Sequence, residues 1–186
     1  MFILKSRSPR RIDILKNLGL KFNVEPADID ETQNNGEKPL DYLNRIVEAK
    51  IEKKLIGSRK DLFLACDTIV VYNQEILHKP KDEREAFFIL SKLNGKIHSV
   101  FSGCMLFQQN ETDYFFEETK IQFQDWSERQ IQSYIQNSKP FDKAGSYGIQ
   151  DQGSPAIKWE GSYQNVMGFP IRSFYQRWQK WAFAWT

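Results

Sequence analysis

Two stretches carry charge where folding alone gives no reason for it. The first is Ser6-Arg7-Ser8-Pro9-Arg10-Arg11. Ser8 suits a helix N-cap, because its hydroxyl can accept from a first-turn N–H, and Pro9 suits the first helical position, where a missing N–H is no loss. Arg10 and Arg11 then fall in the first turn, where free N–H groups and the helix dipole favour anions and oppose cations. An oxyanion held between them removes the conflict, so the stretch reads as a cradle for phosphate or carboxylate. A capped surface helix with two solvated arginines gives the same pattern. The second stretch is Asp67-Thr68, which interrupts the most apolar segment of the chain, from Leu62-Phe63-Leu64-Ala65-Cys66 to Ile69-Val70-Val71-Tyr72. A carboxylate buried there without a partner is costly. Asp67 is therefore either paired at a bend or open to a cleft.

Other groups are weaker on their own. Asp28, Asp30 and Glu31 form a solvated acidic patch unless they face the arginines or a metal that neutralises them. Lys50 adjoins an apolar helical stripe, and either snorkels to water or reaches into a cleft. Phe141 to Gly153 is dense in Gly, Asp, Lys and Ser, and its close glycines either let backbone approach a ligand or serve ordinary turns. His98 lies in a predicted strand and reads as structural, while His78 adjoins Lys79-Pro80 and is open to either reading. No cysteine or serine has an evident histidine partner, which speaks against a covalent nucleophile.

The elements that must position these groups follow from periodicity. Phe2-Ile3-Leu4 is a buried strand, and Ile12, Leu15 and Leu18 mark a helix ending at Gly19. Lys21 to Glu25 alternates as a strand, and Ala27 to Lys38 is a polar loop. Leu40, Leu43, Val47, Ile51 and Leu55 predict one long helix from Pro39 to Gly57. Two strands flank Asp67-Thr68, and Asn73-Gln74 turns into a short return strand. Asp82 with Glu85 opens a helix, and Ser127 with Gln130 opens another, both as capping boxes. Lys96 to Gln109 and Asp113 to Gln124 form a long hairpin. A strand at Ala156 to Trp159 and a helix with Ile171, Phe174, Trp178, Trp181 and Trp185 on one face complete the chain. Alternating strands and helices followed by a hairpin predict an α/β fold with a mixed, twisted central sheet flanked by helices, as one domain over residues 1–186.

Composition narrows the function classes. A net charge of +2 gives nucleic acid no special hold, and the tryptophans gather in the last helix rather than interleaving with cations on one face. Two cysteines, with no CxxC, argue against a disulfide framework and against zinc. The N-terminal apolar run is too short for a signal peptide and no stretch is long enough to span a bilayer, so the cytoplasm is expected.

Five separated motifs then line up: Ser6-Arg7-Ser8-Pro9-Arg10-Arg11, Asp28-Ile29-Asp30-Glu31, Asp67-Thr68, Lys79-Pro80, and Asp142-Lys143-Ala144-Gly145 with Tyr147-Gly148-Ile149-Gln150. In this order and spacing the chain resembles the Maf family of nucleoside triphosphate pyrophosphatases, from Ile3 to about Phe174. The resemblance implies a cleft between two lobes, related to the inosine triphosphate pyrophosphatase fold. It implies hydrolysis of a nucleoside triphosphate to monophosphate and pyrophosphate, with Mg²⁺ or Mn²⁺, to clear the nucleotide pool. It also carries an older link to arrest of septum formation, which a non-catalytic nucleotide-binding regulator would serve. By the same resemblance Asp67 is the proton acceptor and, with Glu31, a metal ligand. Ser8, Arg10, Arg11, Lys50, Thr68, Lys79, Lys143 and Gln150 are substrate-binding, and glutamine at Gln150 implies the dTTP and UTP subtype. An amide offers the donor and acceptor that the O4 and N3–H edge of uracil or thymine needs. Lys5, Arg7, Cys66 and Asp151 depart from the family's usual residues; the two extra cations would tighten phosphate binding or face water. The C-terminal aromatics and the resemblance would suit a homodimer, with no partnership with nucleic acid or membrane.

Overall fold

The computed structural model describes residues 1–57 and 59–182. Its β-structure is a seven-stranded mixed sheet in the order β2-β1-β3-β5-β6-β7, with β4 paired to β3. The strands are β1 (Phe2–Leu4), β2 (Asn23–Val24), β3 (Leu62–Tyr72), β4 (Glu75–Leu77), β5 (Ile97–Gln108), β6 (Glu111–Phe123) and β7 (Ala156–Glu160). β1 runs parallel to both β2 and β3, while β4 on β3 and β7 on β6 are antiparallel. The helices are α1 (Pro9–Asn17), α2 (Pro39–Ile51), α3 (Lys53–Ile56), α4 (Glu83–Leu93), α5 (Glu128–Ser138), α6 (Tyr163–Val166) and α7 (Ile171–Ala182). The mixed α/β class predicted from the alternation is the class observed.

The chain divides into two compact units, with boundaries inside β3, β5 and β6. Unit 1 holds Met1–Asp67, Ser102–Glu117 and the chain from Gly168 onward; unit 2 holds Thr68–Phe101 and Glu118–Met167. In unit 1, Ile3, Leu4, Leu15, Leu43, Val47, Phe63, Leu64, Phe169 and Phe174 are fully or almost fully buried. The α7 aromatic face belongs to this interior: the Trp178 ring lies 5.2 Å from Phe174 and 4.9 Å from Phe2. The predicted continuation of that face to Trp185 lies outside the described residues. In unit 2, α4 packs on α5, and the core joins Ala86, Leu90 and Leu93 to Ile121, Phe123, Ile131 and Tyr134.

Several local outcomes differ from the periodicity. The long helix predicted over Pro39 to Gly57 breaks at Glu52, which takes a left-handed conformation (φ 54°, ψ 48°) between α2 and α3. The Glu52 carboxylate lies 2.7 Å from Lys5 Nζ, and both side chains are largely buried. That pairing also settles Lys5, which neither faces water nor is left over for a phosphate. The side chain of Leu55, predicted for the same stripe, lies outside the described residues. β3 runs unbroken through Asp67-Thr68, so the polar pair does not mark a bend. The predicted strand at Lys21 to Glu25 shrinks to the two residues of β2. The hairpin turn is Gln109-Asn110, both with positive φ (47° and 71°), one step before the predicted Asn110-Glu111-Thr112. α6 was not visible as a periodic segment; it is a single turn whose start Ser162 caps by accepting from the Asn165 N–H at 3.3 Å.

Candidate active site

Unit 1 builds its charged centre from a loop, a helix and a strand. On α2, Lys50 lies three residues after Val47 and seven after Leu43, both fully buried, so its stem follows the apolar stripe inward. Its ammonium must then find anions, and it finds two. Nζ is 2.7 Å from Asp67 Oδ1 on β3 and 2.8 Å from Glu31 Oε1 in the polar loop. The Lys50 and Asp67 side chains are 11% and 15% exposed, while Glu31 is 45% exposed, so Glu31 is the partner nearest water. Of the two readings open for Lys50, snorkelling is excluded. Asp67 is a paired carboxylate in a straight strand.

The loop carrying Glu31 is tied back to α2. The Tyr42 hydroxyl donates to the Glu31 carbonyl at 2.9 Å. Arg45 donates to the Thr32 carbonyl at 2.9 Å and grips Glu37 with two hydrogen bonds of 2.6 and 2.7 Å. That guanidinium holds the Glu37 carboxyl down at about 2. Burial, and then the negative charges of Asp67 and Glu31, push the Tyr42 phenol up. Tyr42 and Arg45 were not singled out from sequence. Their signal was spacing: two polar side chains one turn apart, on the helix that immediately follows a polar loop.

At the start of α1, Ser8 holds the N-cap position, but its side chain makes no capping bond. Its carbonyl accepts from the Ile12 N–H at 3.2 Å, and its own N–H donates to Ser6 Oγ at 3.3 Å. Arg11 is buried, with Nε donating to the Gly168 carbonyl at 2.8 Å and Nη1 to Ser6 Oγ at 3.0 Å. One of its donors thus ties α1 to the residue that leads into α7, and a second holds the Ser6 loop. Arg10 and Ser8 are half-buried and Arg7 is exposed. Beside Asp67, the Cys66 and Cys104 thiols are buried with sulfurs 2.7 Å apart, both free, as their sparse usage implied. Burial pushes the Cys104 thiol well up, which keeps it protonated.

Unit 2 contributes a second cluster. Lys143 Nζ lies 3.2 Å from Asp142 Oδ1 and 3.6 Å from Asp151 Oδ2. Asp151 is also held by neutral donors: the Tyr134 hydroxyl at 2.7 Å and the Gly148 N–H at 3.1 Å. A Cβ on Gly148 would meet Asp151 Oδ1 at 2.5 Å, so this turn closes only without a side chain there. One on Gly145 would strike Val70 at 2.9 Å, so the glycine there permits close packing within unit 2. Ser146, buried between them, sits at φ 61°, a strained conformation of the kind that gathers at functional sites. Gln150 is exposed on this turn, Thr68 is half-buried, and Lys79 is exposed before the buried Pro80. His98 is structural, as expected: it is buried, its Nε2 lies 2.8 Å from the Tyr147 hydroxyl, and burial lowers it to about 3.

Sequence comparison identifies the family. The family described as "Maf-like protein" matches residues 1–181. The chain belongs to the Maf family. Among Maf relatives, a protein of Leptospira biflexa named dTTP/UTP pyrophosphatase is 54% identical over 185 residues, covering 100% of this chain and 96% of the relative. Another of that name, from Leptospira borgpetersenii, is 44% identical over 97% of this chain and 96% of its own length. A third, from Dictyoglomus thermophilum, is 39% identical, with 91% and 90% covered. Among the described residues no helix is long and apolar enough to cross a membrane.

Proposed function

We propose that this protein is a nucleoside triphosphate pyrophosphatase that hydrolyses dTTP and UTP to the monophosphate and pyrophosphate, a house-cleaning activity on the nucleotide pool. The observation that carries it is the end-to-end likeness, at up to 54% identity, to proteins named for that activity. The charged centre of unit 1 supplies a chemistry for it. A triphosphate is strongly anionic and needs cations along its length; Arg10, the start of α1, Lys79 and Lys143 are the residues assigned to it. Gln150 is assigned to the base edge.

A divalent cation fits Glu31 and Asp67. Their oxygens already converge on one positive atom, Lys50 Nζ, and two carboxylates plus phosphate oxygens and water make a common Mg²⁺ set. No group of three or more His, Cys, Asp or Glu that could hold a metal occurs among the described residues, so phosphate oxygens and water would supply the rest of the shell. When bound, such an ion polarises the attacked phosphorus and stabilises the departing pyrophosphate. Asp67 would accept the proton of the attacking water, and in the nucleotide-free protein Lys50 holds its carboxylate in place at 2.7 Å.

The test is incubation with dTTP, UTP, CTP, GTP and ATP, each with Mg²⁺ or Mn²⁺, and identification of the products. Pyrophosphate with dTMP or UMP is expected. Orthophosphate release, or tight nucleotide binding without turnover, would overturn the proposal.

A further inference from the structure

Lys50 does more than neutralise its neighbours. Its Nζ sits 2.8 Å from Glu31 Oε1 and 2.7 Å from Asp67 Oδ1, so a single ammonium is the counter-ion of both carboxylates. The two anions come from parts of the chain 36 residues apart, a polar loop and the middle of a strand. A magnesium or manganese ion binds carboxylate oxygen at about 2.1 Å, closer than an ammonium does. An ion touching both oxygens would stand where Nζ now stands. At those two oxygens ammonium and metal therefore exclude one another.

We propose that Lys50 is a resident cation that keeps the divalent ion out until nucleotide arrives. The inference rests on the reading that Glu31 and Asp67 receive the metal. Once displaced, the Lys50 ammonium is still on a buried stem, beside Val47 and Leu43. An ammonium left there without an anion is strongly disfavoured. The phosphate chain of the nucleotide is the new partner that makes displacement favourable. Metal alone removes the lysine from its carboxylates and offers nothing in return; metal with triphosphate offers the negative oxygens of the phosphate chain. The two ligands are therefore coupled, and by linkage each strengthens the other equally. Lys50 is a positioning residue in the empty protein and a phosphate ligand in the loaded one.

The exposures give the order of release. Glu31, 45% exposed, has water available to replace the ammonium, whereas Asp67, 15% exposed, has much less. The Glu31 contact parts first, and the Glu31 side chain is what moves. The loop's ties through Tyr42 and Arg45 reach the Glu31 and Thr32 carbonyls and Glu37, so they leave the Glu31 side chain free to swing.

The experiment titrates Mn²⁺ into nucleotide-free protein and follows free Mn²⁺ by electron paramagnetic resonance, which needs no turnover. Wild type, Lys50→Met and Lys50→Arg are compared after circular dichroism has shown each to be folded. Lys50→Met keeps the apolar stem without the charge and should bind Mn²⁺ at least tenfold more tightly than wild type. Lys50→Arg keeps the charge and should stay near wild type. Adding the non-hydrolysable α,β-imido analogue of dUTP should raise Mn²⁺ affinity at least tenfold in wild type and under threefold in Lys50→Met. Equal Mn²⁺ affinity in wild type and Lys50→Met overturns the inference, as does an arginine variant that binds like the methionine one. Either result, found in a protein that still shows metal-dependent dTTP hydrolysis, leaves the proposed activity standing. Absence of metal-dependent hydrolysis of any nucleotide removes both.

Discussion

Lys50 and Lys143 each stand between two carboxylates, yet the two clusters are differently made. Around Lys50 the lysine is the common partner of two acids from distant parts of unit 1. Around Lys143 both acids are sequence neighbours within unit 2, and Asp151 is already satisfied by the Tyr134 hydroxyl and the Gly148 N–H. The contrast extends to the two interiors. The buried charged residues, Lys5, Arg11 and Lys50, all belong to unit 1. The buried polar residues of unit 2 are neutral: His98, Thr119, Ser146, Ser162 and Asn165. A charged interior is held by pairs that a ligand can exchange. A neutral one offers a ligand no ion pair to exchange.

The largest effect should come from Asp67→Asn, which removes the proposed base but keeps the shape. Turnover should fall by about 100-fold or more with an unchanged circular dichroism spectrum. Near-normal kcat would detach the charged centre from catalysis. Next in size is the pH response of unit 2. Unfolded histidine takes up a proton below about 6.5, but His98 in the folded protein resists until about 3. Stability is therefore intact above pH 6.5 and falls between 6.5 and 3, by about 1.4 kcal/mol per unit from this group. Wild type should lose about 2 kcal/mol more than His98→Gln between pH 7 and pH 5 in urea unfolding. Equal losses would mean that His98 is not held neutral.

Lys50→Met should destabilise the metal-free protein by about 1–3 kcal/mol, less than the penalty for a fully buried pair because Glu31 reaches water. Asp151→Ala should cost about 1 kcal/mol, because the Tyr134 hydroxyl loses its acceptor while the Gly148 N–H keeps the Tyr134 oxygen at 3.1 Å. It should also blur discrimination between dTTP and CTP by freeing the turn that presents Gln150. Asp151→Asn, which keeps an acceptor, should do less of both. Smallest is Lys143→Met, within about 0.5 kcal/mol, since Asp151 keeps its neutral donors. A Lys143 variant as unstable as the Lys50 variant would erase the distinction between the clusters.

What the sequence made legible follows the same line. The Asp82 cap reads directly from residue type, and its carboxylate accepts from the Glu85 N–H at 2.8 Å as a cap should. Asp67 was visible as a polar residue where apolar ones belong. Its partner was not, because Lys50 and Asp67 share no local pattern and meet only when α2 lies against β3. The break at Glu52 was hidden for a similar reason. Glutamate is a good helix former, and what holds it in a left-handed turn is Lys5, 47 residues away. Asp151 was visible only as a departure from the family's usual residue; what holds it is Tyr134, which the sequence did not single out. Long-range pairings decided each of these, and single-sequence periodicity carries no record of them.

The missing side chain at Gly148 has a practical consequence for anyone wishing to change which base is accepted. Position 150 points outward and tolerates redesign on its own. Its flanks do not: anything larger than hydrogen at 148 collides with the acid at 151, and shortening that acid empties the seat beneath the turn. A library that randomises 150 alone tests the base-edge role proposed for it, while one that also varies 148 or 151 singly disturbs the turn as well. The two flanks have to be exchanged together.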